Sequence, residues 1–259
     1  IRDYKVTGVQ TCALPIWASE DELAQSIPSD CKISGKSLIL ADGSEVEIFI
    51  RPRDRQFVEV FQNSCRTELT DNESKGLRNY RYQVCLMGPG GSMESASAMM
   101  RSALPILDAG GFGVFIDNSA ISFGASVWRQ MAGICDTDAV TFGFVNIFRS
   151  KAETFTVGMQ TLGQPDLSLP SKSFGREDQS MIDLIFTTAT EGHLFDEGHL
   201  IALPNGQTFK VHKIPDLRFR SGSPIHNAWG RLELCSDQNA KLVFKTLSQR
   251  SSLRKKMKL

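Results

Sequence analysis

"YRYQVCLMGPGGSMESASAMMRSALPILDAGGFGVFID", Tyr80–Asp117, is the stretch on which the fold turns. It opens on an apolar run of strand length and closes on another, "FGVFID". Between them Met93, Ala96, Met99, Met100, Ala103, Leu104 and Leu107 fall at helical spacing behind the turn "GPGGS". Pro105 predicts a kink near the end of that helix, and Gly110-Gly111 predicts its C-terminal stop. The unit is strand, helix, strand, and such a crossover sets its strands parallel when both lie in one sheet.

Upstream, "LILADGSEVEIFI" reads as a hairpin turning at Asp42-Gly43, a dipeptide that supplies positive φ in tight turns. "DRQFVEVFQNSC" reads as a helix with Phe57, Val58, Phe61 and Cys65 on one face, whereas residues 18–36 are polar and only partly helical. "RTELTDNESKGLRN" is charged and poor in large apolar residues, which predicts a loop or linker. Downstream, "ASVWRQMAG" predicts a short helix burying Val127, Trp128 and Met131. "VTFGFVNIFRS" and "ETFTVGMQTLG", apolar on both faces, predict a central antiparallel hairpin. "GQPDLSLPSKSFG" reads as a loop leading to a helix over 177–191, and "HLIALPNGQTFKVHKI" and "WGRLELC" as closing strands. The sum is an α+β fold: a mixed, largely antiparallel sheet with helices 93–108 and 177–191 packed on it. The expected limits are an N-terminal hairpin and helix element with its linker over 17–78, a main domain over 79–236, and a basic tail over 237–259.

The beginning of the chain reads differently. Val6–Ile16, "VTGVQTCALPI", resembles the in-frame translation of a high-throughput sequencing adapter, and Ile1-Arg2-Asp3 matches the adapter's upstream bases. Pro15 stops a helix there, Gly8 weakens a strand, and the segment holds no apolar core long enough for a secretory signal. Residues 1–16 are therefore expected to be an artefact that makes few contacts with the core.

Composition narrows the function classes. The 259 residues carry 29 basic and 29 acidic side chains, so no global field favours nucleic acid or an anionic membrane. No apolar run reaches the length of a membrane span. Cys31, Cys65, Cys85, Cys135 and Cys235 are scattered and form no CxxC pair, which argues against structural zinc or a disulfide scaffold and suggests a reducing, cytoplasmic setting. A contact with nucleic acid would have to come from the basic tail, through Arg250, Arg254, Lys255, Lys256 and Lys258.

Two longer stretches carry a resemblance. "LPILDAGGFGVFIDNSAISFGASVW" pairs a helix, Gly-Gly and strand with a small-residue turn and a Trp-bearing helix, and "TVGMQTLGQPDLSL", the helix over 177–191 and "DEGHLIAL" form a second half. Together, over about residues 79–213, they resemble an uncharacterised, mainly bacterial domain-of-unknown-function family (DUF4261-like). Where that family alternates acidic and apolar residues at the end of its second motif, this chain has Leu167-Ser168-Leu169. The resemblance implies a fold and carries no reaction, cofactor or catalytic residue.

Three clusters could bear chemistry. Gly90, Gly91 and Ser92, between a strand and a helix, could cradle an anion, although the turn lacks the Gly-Lys-Ser/Thr ending of a P-loop and Ser92 is equally an N-cap. Asp117 and Asn118 end a strand, where α/β folds present side chains and where Asx residues also close turns. His193, Asp196, Glu197 and His199 could bind a metal, but their spacing fits no helical zinc motif and a polar turn explains them, so no metal and no cofactor is expected. His212 and His226 are isolated, and no serine shows the G-x-S-x-G elbow. These observations favour a non-enzymatic binding or interaction protein, with an unidentified protein partner or self-association. The alternative is a small-molecule-binding or hydrolytic enzyme whose site gathers Gly90, Asp117, Asn118 and His199.

Overall fold

The computed structural model describes residues 10–13, 20–170, 181–185, 188–189, 195–202 and 208–236. Two sheets face a shared core. The first joins β1 (Gln10–Ala13), β2 (Lys32–Ser34), β3 (Ser37–Ile39), β4 (Glu45–Pro52), β5 (Tyr82–Met87), β6 (Gly113–Ile116) and β7 (Ile121–Gly124) in the order β2-β3-β4-β5-β1-β6-β7. Every neighbouring pair in it is antiparallel. The second joins β8 (Asn146–Arg149), β9 (Glu153–Val157), β10 (Asp166–Pro170), β11 (Leu200–Ala202), β12 (Thr208–Ile214) and β13 (Arg231–Ser236) in the order β11-β12-β13-β10-β9-β8, with β10 and β13 parallel. The fold is α+β with largely antiparallel strands, divided between two sheets rather than held in one.

Local chemistry explains most elements. Gly43 turns the β3–β4 hairpin at φ +81°, and Asp42 Oδ1 accepts from the Ser44 N–H at 2.9 Å. α1 (Glu20–Ser26) precedes that hairpin, and α2 (Arg55–Asn63) starts where Asp54 accepts from the Gln56 N–H. The helix after the Gly-rich turn breaks at Ala103 into α4 (Met93–Ser102) and α5 (Leu104–Asp108), as Pro105 requires. α6 (Ala125–Ile134) buries Trp128, whose Nε1 donates to the Met100 carbonyl at 3.0 Å. The larger core runs from Val84, Leu86, Val114 and Ile116 of the first sheet through Met99, Trp128 and Phe144 to Leu167, Val211 and Leu234 of the second. A smaller cluster, Phe61, Leu77, Tyr80, Cys85 and Phe115, lies on the other face of the first sheet.

The structure corrects several readings. "DNESKGLRN" is a helix, α3 (Asp71–Asn79), closed by a capping box between Thr70 and Glu73 and pressed at Gly76 against the Phe112 ring. "TDAVTFGF" is also a helix, α7 (Thr137–Phe144), because Asp136 accepts from the Ala139 N–H and starts a turn that an apolar run alone does not reveal. The β8–β9 hairpin follows it, but β8 is an edge strand rather than a central one. "DLSLP" is not loop: β10 lies between β9 and β13, buried except at Pro170. Gln10–Ala13 is not detached from the core, for β1 pairs with β5 on one side and β6 on the other. The β5–helix–β6 crossover is parallel as expected, yet its strands flank β1 instead of touching. β4 pairs directly with β5, so the N-terminal hairpin extends the same sheet.

Residues 181–185 and 188–189 are helical, with Met181, Leu184 and Ile185 buried; the rest of the helix expected over 177–191, His193, residues 1–9 and 14–16 and the basic tail lie outside the described residues.

Candidate functional site

Charged side chains of β9, β10 and β13 meet charged and amide side chains of residues 215–230 in one cluster. Asp166 begins β10, with its N–H donating to the Gly230 carbonyl at 3.1 Å and its side chain fully buried. Its Oδ1 accepts from Thr156 Oγ1 at 3.0 Å and from the Met159 N–H at 3.3 Å, while Oδ2 accepts from Asn227 Nδ2 at 3.1 Å. Burial pushes this carboxyl up to about 7, against the lowering pull of Asn227, the Arg218 charge, Thr156 and the Met159 N–H.

Asn227 links that acid to a second one. Its Nδ2 also donates to the Gln164 carbonyl at 3.0 Å, and its N–H reaches Asp216 Oδ2 at 3.4 Å. Asp216 Oδ1 accepts from Arg218 Nε at 3.1 Å, and the Arg218 guanidinium lies 4.2 Å over the Phe155 ring. Phe155 stacks in turn on Phe148 of β8, centroids 5.7 Å apart. Glu153 accepts from Arg231 Nη1 through both oxygens at 3.1 Å and stands 3.9 Å from Arg218 Nη1. The cluster is half-satisfied: Arg218 Nη1 and Nη2, Arg231 Nε, Ser168 Oγ and His226 Nδ1 are buried without a hydrogen-bond partner among the described residues. Removing two guanidinium groups from water with incomplete pairing is costly, so their carboxylate neighbours and the Phe155 ring hold residues 215–230 against the sheet.

"TVGMQTLG" shapes the end of the cluster. Gly158 and Gly163, at φ +108° and +75°, bracket a 3-10 turn at Met159–Leu162, and a Cβ on either would strike a backbone carbonyl. Gln160 Nε2 donates to the carbonyls of Asn118 and Pro224, each at 3.2 Å, and Asn118 Nδ2 donates to the Pro224 carbonyl at 3.1 Å. The Gly91 N–H donates to the Thr161 carbonyl at 3.0 Å, and Ser92 Oγ accepts from the Ser95 N–H as the cap of α4.

Two of the three expected clusters therefore meet at the 3-10 turn: the Gly90–Gly91–Ser92 turn and Asn118, which follows Asp117 at the end of β6. The Gly91 N–H is committed to Thr161 and is not directed at a ligand. His199 lies elsewhere, in the turn before edge strand β11, with β12 and β13 between that strand and β10. There its Nδ1 accepts from the Asp196 N–H, Lys213 Nζ donates to Asp196 Oδ1 at 2.6 Å, and His212 pairs with Glu197 at 2.9 Å. Hydrogen bonds from the Lys213 side chain to Asp196 and from its backbone to Glu197 hold both carboxyls below their ordinary range. No cluster of three metal-ligating side chains occurs among the described residues.

A separate cleft of about 370 Å³ opens between the β3–β4 turn and α4–α5, lined by Cys31, Asp42, Ala98, Arg101, Pro105 and Asp108. Cys31, Cys65, Cys85, Cys135 and Cys235 form no disulfide with one another. No described helix is long and apolar enough to cross a membrane.

Asp166, Asn227, Arg218 and Gln160 were not singled out in the sequence. The usable signal was the pair of glycines flanking "MQTL" and the acid that follows them, set between Pro165 and Leu167. No family model, curated protein or solved structure matches the chain.

Proposed function

We propose that the chain is a non-enzymatic interaction module whose docking surface is the outer side of residues 215–230 together with Phe148. One observation carries this reading. Leu217 is 87% exposed, yet its neighbour Asp216 is buried and hydrogen-bonded to Arg218, whose side chain is only 16% exposed. An apolar side chain is thus held out in water by a base that is pinned on both sides. Trp229, 45% exposed, repeats the pattern beside buried Asn227, whose Oδ1 accepts the Trp229 N–H at 2.9 Å. Phe148 is partly exposed on the edge strand next to the same cluster. Aromatic and large apolar residues on a pre-ordered base are what protein interfaces use as anchors, because little conformational entropy is lost on docking.

The enzymatic alternative around Gly90, Asp117, Asn118 and His199 has no single observation in its favour, since Gly91 and Asn118 bond to the 3-10 turn and its flank while His199 bonds within its own turn. The DUF4261-like resemblance brings no reaction and leaves the reading unchanged.

The double variant Leu217→Ser/Trp229→Ser tests it. The reading expects unchanged thermal stability and loss of a partner that the wild-type chain retains in quantitative affinity capture and in a reconstituted binding assay. A partner that binds the double variant with wild-type affinity would overturn it.

A further inference from the structure

The middle of the first sheet is completed from outside its own supersecondary unit. β5 and β6 run parallel, joined by α4 and α5, and are separated by one strand's width. Val84, Leu86, Val114 and Ile116 line that lane on the side of the large core, and Cys85 and Phe115 line it on the side of α2; all are buried. Every wall of the lane is built by residues that follow β1 in the chain. β1 contributes four residues, antiparallel to both neighbours: Gln10 to Ala13 pair with Met87 to Val84, and Thr11 to Ala13 pair with Ile116 to Val114.

The occupant is an unusual one for a central strand. "QTCA" contains one β-branched residue and no aromatic, where a strand paired on both edges in the middle of a sheet ordinarily carries β-branched or aromatic side chains. It also lies within the segment whose sequence resembles an adapter translation. What it does supply is backbone N–H and C=O groups to two strand edges that would otherwise be unpaired in the interior, where each missing bond is costly.

We propose that the lane between β5 and β6 is a strand-acceptor site. It takes a short extended peptide segment antiparallel to both neighbours, supplied by the polypeptide's own N-terminal region and selected by its backbone and by the absence of proline. Gln10–Ala13 is an exchangeable occupant. The recognition is that of β-strand addition, doubled because both edges of the guest are paired.

The test uses the full chain. In one variant Gln10–Ala13 is replaced by an unrelated proline-free tetrapeptide; in a second, Cys12→Pro removes one N–H from a strand paired on both sides. Amide hydrogen exchange is read at Val84–Leu86 and Val114–Ile116. In a third variant a protease site follows Ile16, and the folded, cleaved protein is chased with labelled peptides of residues 6–14, of the unrelated sequence, and of the proline sequence. The expected results are retained protection in the replaced chain, protection reduced about a hundredfold by Cys12→Pro, and uptake of both proline-free peptides within about tenfold of each other. The proposal is overturned if replacement removes protection as proline does, if Cys12→Pro leaves protection intact, or if the cleaved chain takes up only the residue 6–14 peptide or none.

Discussion

Glu73 Oε1 accepts two hydrogen bonds from Ser126, one from its backbone N–H and one from its hydroxyl, both at 2.8 Å. The other oxygen, Oε2, accepts from the Thr70 N–H at 2.8 Å, so one carboxylate closes the start of its own helix and the start of α6. A Cβ on Gly124 would fall against that carboxylate, which is how the helix approaches so closely.

Glu73→Gln is expected to destabilise the chain by about 2 kcal/mol at neutral pH, since an amide replaces a charged acceptor at a shared cap. Burial alone would raise this carboxyl, but the hydrogen bonds from Ser126 and Thr70 outweigh it and hold the group below its ordinary 4.5. Its contribution is present above that value and is lost as pH falls through the folded pKa. Urea unfolding at pH 7 and pH 3 checks this: the gap between wild type and variant should narrow in acid, and an equal gap at both would refute it.

Asp166 acts in the opposite direction. With its folded value raised to about 7, the native chain keeps a proton that the unfolded chain has already released above about pH 4. Stability from this group is therefore full below pH 4, declines between about pH 4 and 7, and is flat above. The decline is on the order of 2–4 kcal/mol. Denaturant midpoints for Asp166→Asn should lack that part of the slope; a slope identical to wild type would show that the native carboxyl is not protonated.

Gly163→Ala should cost about 2–4 kcal/mol, because it combines a positive φ with a collision between the new Cβ and the Gly91 carbonyl oxygen. Gly133→Ala, exposed in α6 with nothing within 4 Å of the new methyl group, should raise stability by about 0.5–1 kcal/mol. Thermal melting of the pair measures both, and a neutral Gly163→Ala would contradict the packing of the Gly-rich turn on the 3-10 turn.

Local chemistry made the β3–β4 hairpin, the Pro105 break and the Trp128 helix legible, because each rests on residues adjacent in sequence. α3 was hidden by its polarity: of its residues only Glu73, Gly76 and Leu77 are buried, and the one local sign was Thr70 followed three residues later by Glu73. β10 was hidden by Pro165 before it, by its own Pro170 and by its acid, which resemble a loop until burial on both faces is known. The cluster around Asp166 could not be read locally at all, since Thr156 stands 10 residues away and Asn227 stands 61. Of the expected site residues, Asn118 and the Gly90–Gly91–Ser92 turn came to its border because the 3-10 turn binds both, whereas the turn at His199 was already complete in itself.

The position of β1 also bears on the order of assembly. It precedes both of its partners in the chain, and β6 is finished only after α4 and α5 have been made. During synthesis from the N-terminus the backbone groups on its β6 edge have no partner until the crossover that forms the lane is complete, and the pairing joins residues far apart along the chain. The first of the described strands in chain order therefore gains its second partner only after Gly113–Ile116 has been made.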